Sequence, residues 1–225
     1  RDRSPSRGLG DVYKRQSLDA ALENGEPTRI EFKTFEIDPH KIPDYSNLED
    51  ALKRALDFWS QQQSTKAKTF FKQALDVIHK STITCLRISD FNTSGLVGSR
   101  EEYNSPWCNL TKSSGASDKS GSHGGSFGIG KFAPYACSSL RTVFYSTSDK
   151  DGLCASQGVS RLTSFKSKKN EITQGTGFYG NDKNSPMYKQ FSLDPAYSRS
   201  AENSGTDIFT VSYTHLRAHE TDSYL

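Results

Sequence analysis

The sequence predicts an α+β fold, a two-layer α/β sandwich in which helices cover one face of a mixed, mostly antiparallel sheet. Two observations predict it. Apolar residues recur at helical spacing over residues 48–59 and again over 66–79, which predicts two amphipathic helices. The segments rich in β-branched and aromatic residues outnumber the predicted helices. The chain therefore has too few helices to connect all of these strands as parallel crossovers. These strand-like segments lie within residues 29–37, 82–89, 140–146, 153–165 and 207–210.

Cap and turn signals bound the N-terminal elements. Residues 17–24 are predicted to end a helix, and residues 29–37 to form the first strand. The sequence Ser46-Asn47-Leu48-Glu49 fits a capping box, which predicts that the first long helix begins with Ser46 as its N-cap. His79 lies near the end of the second helix, where we expect it only to interact favourably with the helix dipole.

The second half of the chain contains long polar stretches. Residues 101–125 consist mostly of Ser, Gly, Lys and Asn, and a connection of this length is typical of a lid or a disordered segment. A short helix is predicted after it, at residues 132–137. Residues 166–203 are also polar, but their aromatic residues indicate that this stretch packs against the rest of the domain.

Both ends of the chain resemble translated sequencing-adapter read-through. We therefore exclude residues 1–16 and 212–225 and expect one domain, truncated at both ends, over residues 17–211. The formal net charge of +3 comes mainly from the first segment, so the remaining chain is close to neutral and gives no support for nucleic-acid binding.

Compartment and membrane association follow from composition. No run approaches the roughly 18 apolar residues that a membrane span needs, so we expect no membrane association. The four cysteines are widely spaced and form no CxxC pair, which favours free thiols in a cytoplasmic protein.

A glycine-rich string is the strongest chemical signal in the sequence. Four glycines in seven positions let backbone N–H groups converge on one point, and the predicted helix behind them adds partial positive charge. Such an arrangement suits a phosphate chain. The string consists of Gly124, Gly125, Ser126, Phe127, Gly128, Ile129, Gly130 and Lys131.

Three other interpretations of this string stay open. It fits the P-loop pattern, but Phe132 stands where a P-loop needs Ser or Thr to hold magnesium. Residues 128–133 fit the dinucleotide fingerprint, but no strand directly precedes them. The string is otherwise a flexible hinge without a ligand, and Lys131 a plain surface lysine.

A second signal lies at the end of the strand predicted over residues 82–89. Asp90 follows it and is in turn followed by a turn containing Asn92 and Gly95. A carboxylate in this position can accept a hydrogen bond from an exocyclic amine. Taken alone, the segment is also a common turn.

The order of these segments resembles the GHKL ATPases, the family that includes DNA gyrase, the large heat-shock chaperones, histidine kinases and MutL. The resemblance also includes Ser17-Leu18-Asp19-Ala20 and Gly205-Thr206, and it covers roughly residues 17–210. It implies the Bergerat ATP-binding fold.

The resemblance also implies a role for each motif. Asp19 belongs to the first motif, Asp90 accepts from the adenine amine, and Thr206 hydrogen-bonds near the adenine. Asn92 and Gly95 lie beside the base, although the family often has glycine where Asn92 and Thr93 stand here. The string from Gly124 to Lys131 caps the phosphates at the hinge of the lid.

The catalytic residue stays unknown. In the family, the first motif carries a magnesium-binding Asn and a general-base Glu, and both positions would fall within residues 1–16. We therefore assign neither a general base nor a metal ligand in this chain. The resemblance implies that the full protein binds ATP and Mg²⁺, hydrolyses ATP and can form a homodimer. Closure of its lid is expected to report the nucleotide state to a neighbouring domain or a second subunit. The alternative is a non-hydrolysing switch in which ATP gates dimerisation.

Overall fold

The computed structural model describes residues 17, 20–22, 26–112, 129–200 and 202–214, with the backbone alone for residues 129–131. Six strands and four α-helices lie in these ranges. The strands are β1 (Arg29–Ile37), β2 (Ile83–Phe91), β3 (Thr142–Ser148), β4 (Cys154–Arg161), β5 (Thr176–Tyr179) and β6 (Gly205–Thr210). The helices are α1 (Tyr45–Ser60), α2 (Thr65–Ile78), α3 (Pro106–Thr111) and α4 (Ile129–Ala136).

The strands form one sheet in the order β1-β2-β6-β3-β4-β5. Every pairing between these described strands is antiparallel, whereas we expected a mixed sheet. The α1–α2 hairpin explains the β1–β2 pairing, because two consecutive helices return the chain to the end of the sheet that it left. Ile83, the first residue of β2, therefore lies opposite Ile37, the last residue of β1.

Helices pack on both faces of the sheet, although we expected them on one. In β2, Cys85 belongs to an apolar cluster with α1 and α2, whereas Leu86 and Ile88 belong to a second cluster with α3 and α4. Because successive strand side chains point to opposite faces, these two clusters lie on opposite sides of the sheet. We name them the hairpin face, covered by α1 and α2, and the α3–α4 face, which includes the buried Trp107.

The predicted capping box is wrong. Helix α1 begins at Tyr45, and its N-cap is Asp44, which has a φ of 59° and makes no side-chain cap bond to the backbone. The Asp44 carboxylate instead accepts from the side-chain amide of Asn47 at 2.8 Å. Glu49 contacts His79 at 2.7 Å rather than the N-cap, so His79 links α2 to α1 in addition to ending α2.

Element boundaries also differ from prediction. Strand β2 extends through Phe91, so Asp90 lies inside a strand and not after it. Helix α4 begins at Ile129, before the predicted start at residue 132. Part of the long polar stretch is helical, because Pro106 at the first turn and Ser105 as N-cap begin α3. Residues 113–128 lie outside the described part of the chain.

The described residues continue a short way into the excluded C-terminal segment. Tyr213 donates from its amide to the Thr84 carbonyl at 2.7 Å, and Thr214 donates to the Cys137 carbonyl at 2.9 Å. Residues 212–214 thus pack beside the start of β2. Among the described helices, none has the length and apolar composition that crossing a membrane requires.

Candidate functional site

The candidate site centres on the Asp90 carboxylate, near the end of β2. Oδ1 accepts two hydrogen bonds, from the Thr206 amide at 2.6 Å and from the Thr93 hydroxyl at 2.9 Å. Oδ2 accepts from the Ser17 hydroxyl at 3.3 Å, a longer and weaker contact. Among the described residues, Oδ2 therefore keeps most of its acceptor capacity.

Burial dominates the electrostatics of Asp90. It raises the pKa of this carboxyl above its ordinary value, because a low-dielectric surrounding disfavours the charged form. The hydrogen bonds from Thr206 and Thr93, the positive charge of Arg199 and the Ser17 hydroxyl all act in the opposite direction. A further donor at Oδ2 would stabilise the ionised form.

The side chains of Asp90, Thr147 and Thr206 lie on the α3–α4 face. Thr206 lies opposite Thr147 in the β3–β6 pairing, so their side chains share a face. Ser89 lies opposite Asp207 in the β2–β6 pairing, and the next side chains, those of Asp90 and Thr206, therefore both point to the other face. The Thr147 hydroxyl accepts from the Leu96 amide at 2.8 Å and donates to the Gly205 carbonyl at 3.0 Å. Within the described part of the chain, the Thr206 hydroxyl has no hydrogen-bond partner, so it adds a donor and acceptor beside Asp90.

Gly95 allows the turn after β2 to lie close against the end of β3. Its φ is 64°, a conformation that side chains disfavour, and an added Cβ would lie 2.6 Å from the Ser148 carbonyl oxygen. The Ser94 amide donates to the Ala20 carbonyl at 2.7 Å, which joins the turn to the N-terminal segment. A glycine at this position thus lets the turn close over the strand ends beside Asp90.

Asn92 is occupied by a structural contact. It has a φ of 58°, and its side-chain amide donates to the Glu26 carbonyl at 2.6 Å. Through this bond Asn92 holds the segment that leads into β1. Its predicted place beside a bound base stays a prediction.

The phosphate end of the predicted site falls largely outside the described residues. Ile129, Gly130 and Lys131 form the first turn of α4, and only their backbone is described. The remaining predicted residues, Asp19, Gly124, Gly125, Ser126, Phe127 and Gly128, lie outside the described ranges. The described geometry therefore concerns the carboxylate end of the site.

Sequence reasoning missed a buried ion pair next to Asp90. Arg199 donates from Nε and Nη2 to both Asp207 carboxylate oxygens, at 2.9 and 2.7 Å, and the Tyr197 hydroxyl donates to the same carboxylate at 2.9 Å. The available signal was Asp207, the one charged residue in strand β6. It did not identify the partner, which lies in a loop.

Among the cavities lined by described residues, two lie near the sheet or its loops. One of about 240 Å³ lies on the hairpin face and is lined by Leu48, Phe144, Phe165 and Tyr179 among others. The other, of about 630 Å³, lies between residues 97–101 and 149–153, directly after the Gly95 turn. The second cavity is therefore the one next to the candidate site.

No group of three or more His, Cys, Asp or Glu side chains that could hold a metal occurs within the described ranges. Comparison with known proteins gives no further assignment. No family model, no curated protein and no solved structure matches the chain.

Proposed function

We propose that this chain is the ATP-binding domain of a GHKL-type ATPase, with Asp90 as the residue that binds the adenine amine. One observation carries the proposal: the buried Asp90 carboxylate has one oxygen held by two donors, while its other oxygen accepts, among the described residues, only from the Ser17 hydroxyl at 3.3 Å. An exocyclic amine approaching from the α3–α4 face would donate to that second oxygen.

The chemistry of the two purines makes the proposal specific. Adenine presents an amine donor where guanine presents a carbonyl acceptor. An ionised Asp90 attracts the donor and repels the acceptor, while Oδ1 stays engaged with Thr206 and Thr93. The Thr206 hydroxyl, which can donate or accept, lies beside the carboxylate for a second contact to the ring, directly or through a water.

The energetics of burial support a ligand at this position. A buried charged group with unused hydrogen-bonding capacity costs free energy, and such groups are enriched at functional sites. The raised pKa of Asp90 expresses that cost. A hydrogen bond donated by a ligand would offset part of this free-energy cost. An amine would therefore stabilise the buried Asp90 carboxylate more than it would stabilise a carboxylate exposed to water.

The rest of the proposal extends to residues at the other end of the nucleotide. The glycine string and the start of α4 would bind the phosphates, and Mg²⁺ would neutralise their charge. In the full protein, hydrolysis of ATP would drive closure of the lid and signal to a further domain or to a second copy. This step is proposed from the sequence resemblance.

Binding of ATP and GTP to the full 225-residue chain tests the proposal. Calorimetry should show a preference for ATP, and Asp90→Asn should weaken ATP binding at least about tenfold, the value of one charge-assisted hydrogen bond. Asn at this position keeps an acceptor for Thr206 but presents an amide, so the variant should also lose the preference for ATP.

Asp194→Asn is the matched control. Asp194 is another buried carboxylate, but it lies near Arg87 on the hairpin face. This variant should bind ATP as the wild type does. Equal affinity of the wild type and Asp90→Asn for ATP would contradict the proposal.

A further inference from the structure

The ion pair between Arg199 and Asp207 lies directly behind Asp90. Both side chains are almost fully buried, with exposed fractions of 2% and 3%. The Arg199 guanidinium also lies over the Phe91 ring, 4.6 Å from its centroid. Arg199 therefore packs against the residue that follows Asp90 in β2 while it binds the start of β6.

Gly205 separates this ion pair from the Asp90 carboxylate. If Gly205 carried a Cβ, that atom would lie 2.6 Å from Arg199 Nη1 and 2.8 Å from Asp90 Oδ1, and it would also overlap the Asp90 carbonyl oxygen. Arg199 Nη1 and Asp90 Oδ1 thus both approach the position that a Gly205 side chain would occupy. They are separated by no more than about 6 Å, a range in which an opposite charge favours an ionised carboxyl group.

Other charged and titratable groups pack around this position. Among the described residues, Asp207 binds Arg199 and also accepts from the Tyr197 hydroxyl, and Arg87 lies over the Tyr197 ring. Arg29 from β1 lies over the Phe91 ring at 3.9 Å and pairs with Glu31, which also pairs with Arg87. Of these groups, only Arg199 approaches the Asp90 carboxylate through Gly205. The charge of Arg199 also lowers the pKa of Asp90, against the larger effect of burial.

We propose that Arg199 is a positioning residue for Asp90: across Gly205 it fixes the start of β6 so that Thr206 donates to the carboxylate, and its charge keeps that carboxylate ionised. The inference deepens the proposed function, because adenine recognition by Asp90 requires the ionised form. It also explains why glycine occupies position 205, since any side chain would separate the two charged groups.

Two substitutions at Arg199 separate charge from geometry. Arg199→Gln removes the charge. Arg199→Lys keeps it but cannot bond both Asp207 oxygens in parallel. Arg87→Gln is the matched control, because Arg87 is an equally buried arginine on the hairpin face that lies over Tyr197 at 3.5 Å and faces Asp194.

Each variant is measured in the 225-residue chain without nucleotide. Carbon-13 NMR of labelled aspartate carboxyls follows the titration of Asp90, which is identified by its loss in Asp90→Asn, and hydrogen exchange follows the Thr206 amide. Arg199→Gln should move the Asp90 titration to higher pH and speed exchange at Thr206. Arg199→Lys should speed the exchange and leave the titration near that of the wild type, and Arg87→Gln should change neither.

Nucleotide binding is then measured as a function of pH. Arg199→Gln should weaken ATP binding increasingly as the pH falls, because its Asp90 takes up a proton at a higher pH than in the wild type.

If the wild type binds no ATP, the proposed function fails, while the titration of Asp90 and the exchange at Thr206 still decide the role of Arg199. An unchanged Asp90 titration in Arg199→Gln, or the same change in Arg87→Gln, would overturn the inference. If Arg199→Gln does not fold, unchanged exchange at Thr206 in Arg199→Lys overturns it.

Discussion

The amide of Thr206 donates to Asp90 Oδ1 at 2.6 Å, a bond between residues that are 116 positions apart. This bond joins β2 to the start of β6 beyond their last paired residues, Ser89 and Asp207. It holds one oxygen of a buried carboxylate, whose other oxygen accepts from the Ser17 hydroxyl at 3.3 Å. Substitutions at these residues and in the surrounding clusters measure the energetics of the arrangement.

Replacing Asp90 with Asn should change how stability depends on pH. Burial raises the pKa of Asp90 in the folded chain above its ordinary value of 3.8, so the folded state binds this proton more tightly than the unfolded state does. Ionisation of Asp90 therefore lowers the free energy of unfolding as the pH rises from 3.8 through the folded pKa. Asp90→Asn should gain stability relative to the wild type across that window and keep the gain at neutral pH.

Urea unfolding of both proteins at a series of pH values measures this difference. Titrations of other groups largely cancel, because the two chains share them. A stability difference that does not vary with pH would show that Asp90 has the same pKa in both states.

Gly205→Ala should destabilise the fold by about 2 kcal/mol or more, because Gly205 has a φ of 149° and an added methyl group would overlap Asp90 and approach Arg199. Gly177→Ala is the control, since an added Cβ there meets nothing within 4 Å. That change should be neutral or stabilising by roughly 0.5–1 kcal/mol. Thermal and urea unfolding measure both, and equal effects of the two substitutions would contradict the packing at Gly205.

Phe71→Ala should cost about 3–5 kcal/mol, because this ring is fully buried between the hairpin and the sheet. The control is Phe32→Ala, whose ring is 44% exposed in β1 and should cost far less. Both are measured by urea unfolding. Similar losses at the two positions would mean that the α1–α2 hairpin does not pack on the sheet as described.

Thiol labelling should begin at Cys154. Burial raises the pKa of Cys85 to about 12 and that of Cys137 to about 11, and the thiolate is the reactive form. Cys108 is also buried, whereas Cys154 is partly exposed. Mass spectrometry after brief alkylation should find the label at Cys154, and Cys154→Ser should remove the fast phase. Fast labelling of Cys85 in the folded chain would contradict its burial.

Local patterns predicted the helical hairpin and five of the six described strands, but they missed β5, Thr176–Tyr179, which lies in the polar stretch of residues 166–203. The predicted first strand has the same bounds as β1, and the second predicted helix differs from α2 by one residue at each end. The first helix shows the limit of such patterns, because Ser46 and Glu49 fit a capping box by spacing alone. In the structure Asp44 takes the N-cap position in place of Ser46, and Glu49 contacts His79 instead of the N-cap.

The sequence by itself determined the alternation of apolar residues, the α+β composition and the presence of a carboxylate near a strand end. These features depend on neighbours within a few positions, where helix and strand periodicity act. Only the tertiary structure decided that helices cover both faces and that Thr206 and Arg199 converge on Asp90 across Gly205. Such contacts depend on strand order and on a missing side chain between two strands, and residue spacing along the chain carries no signal for either.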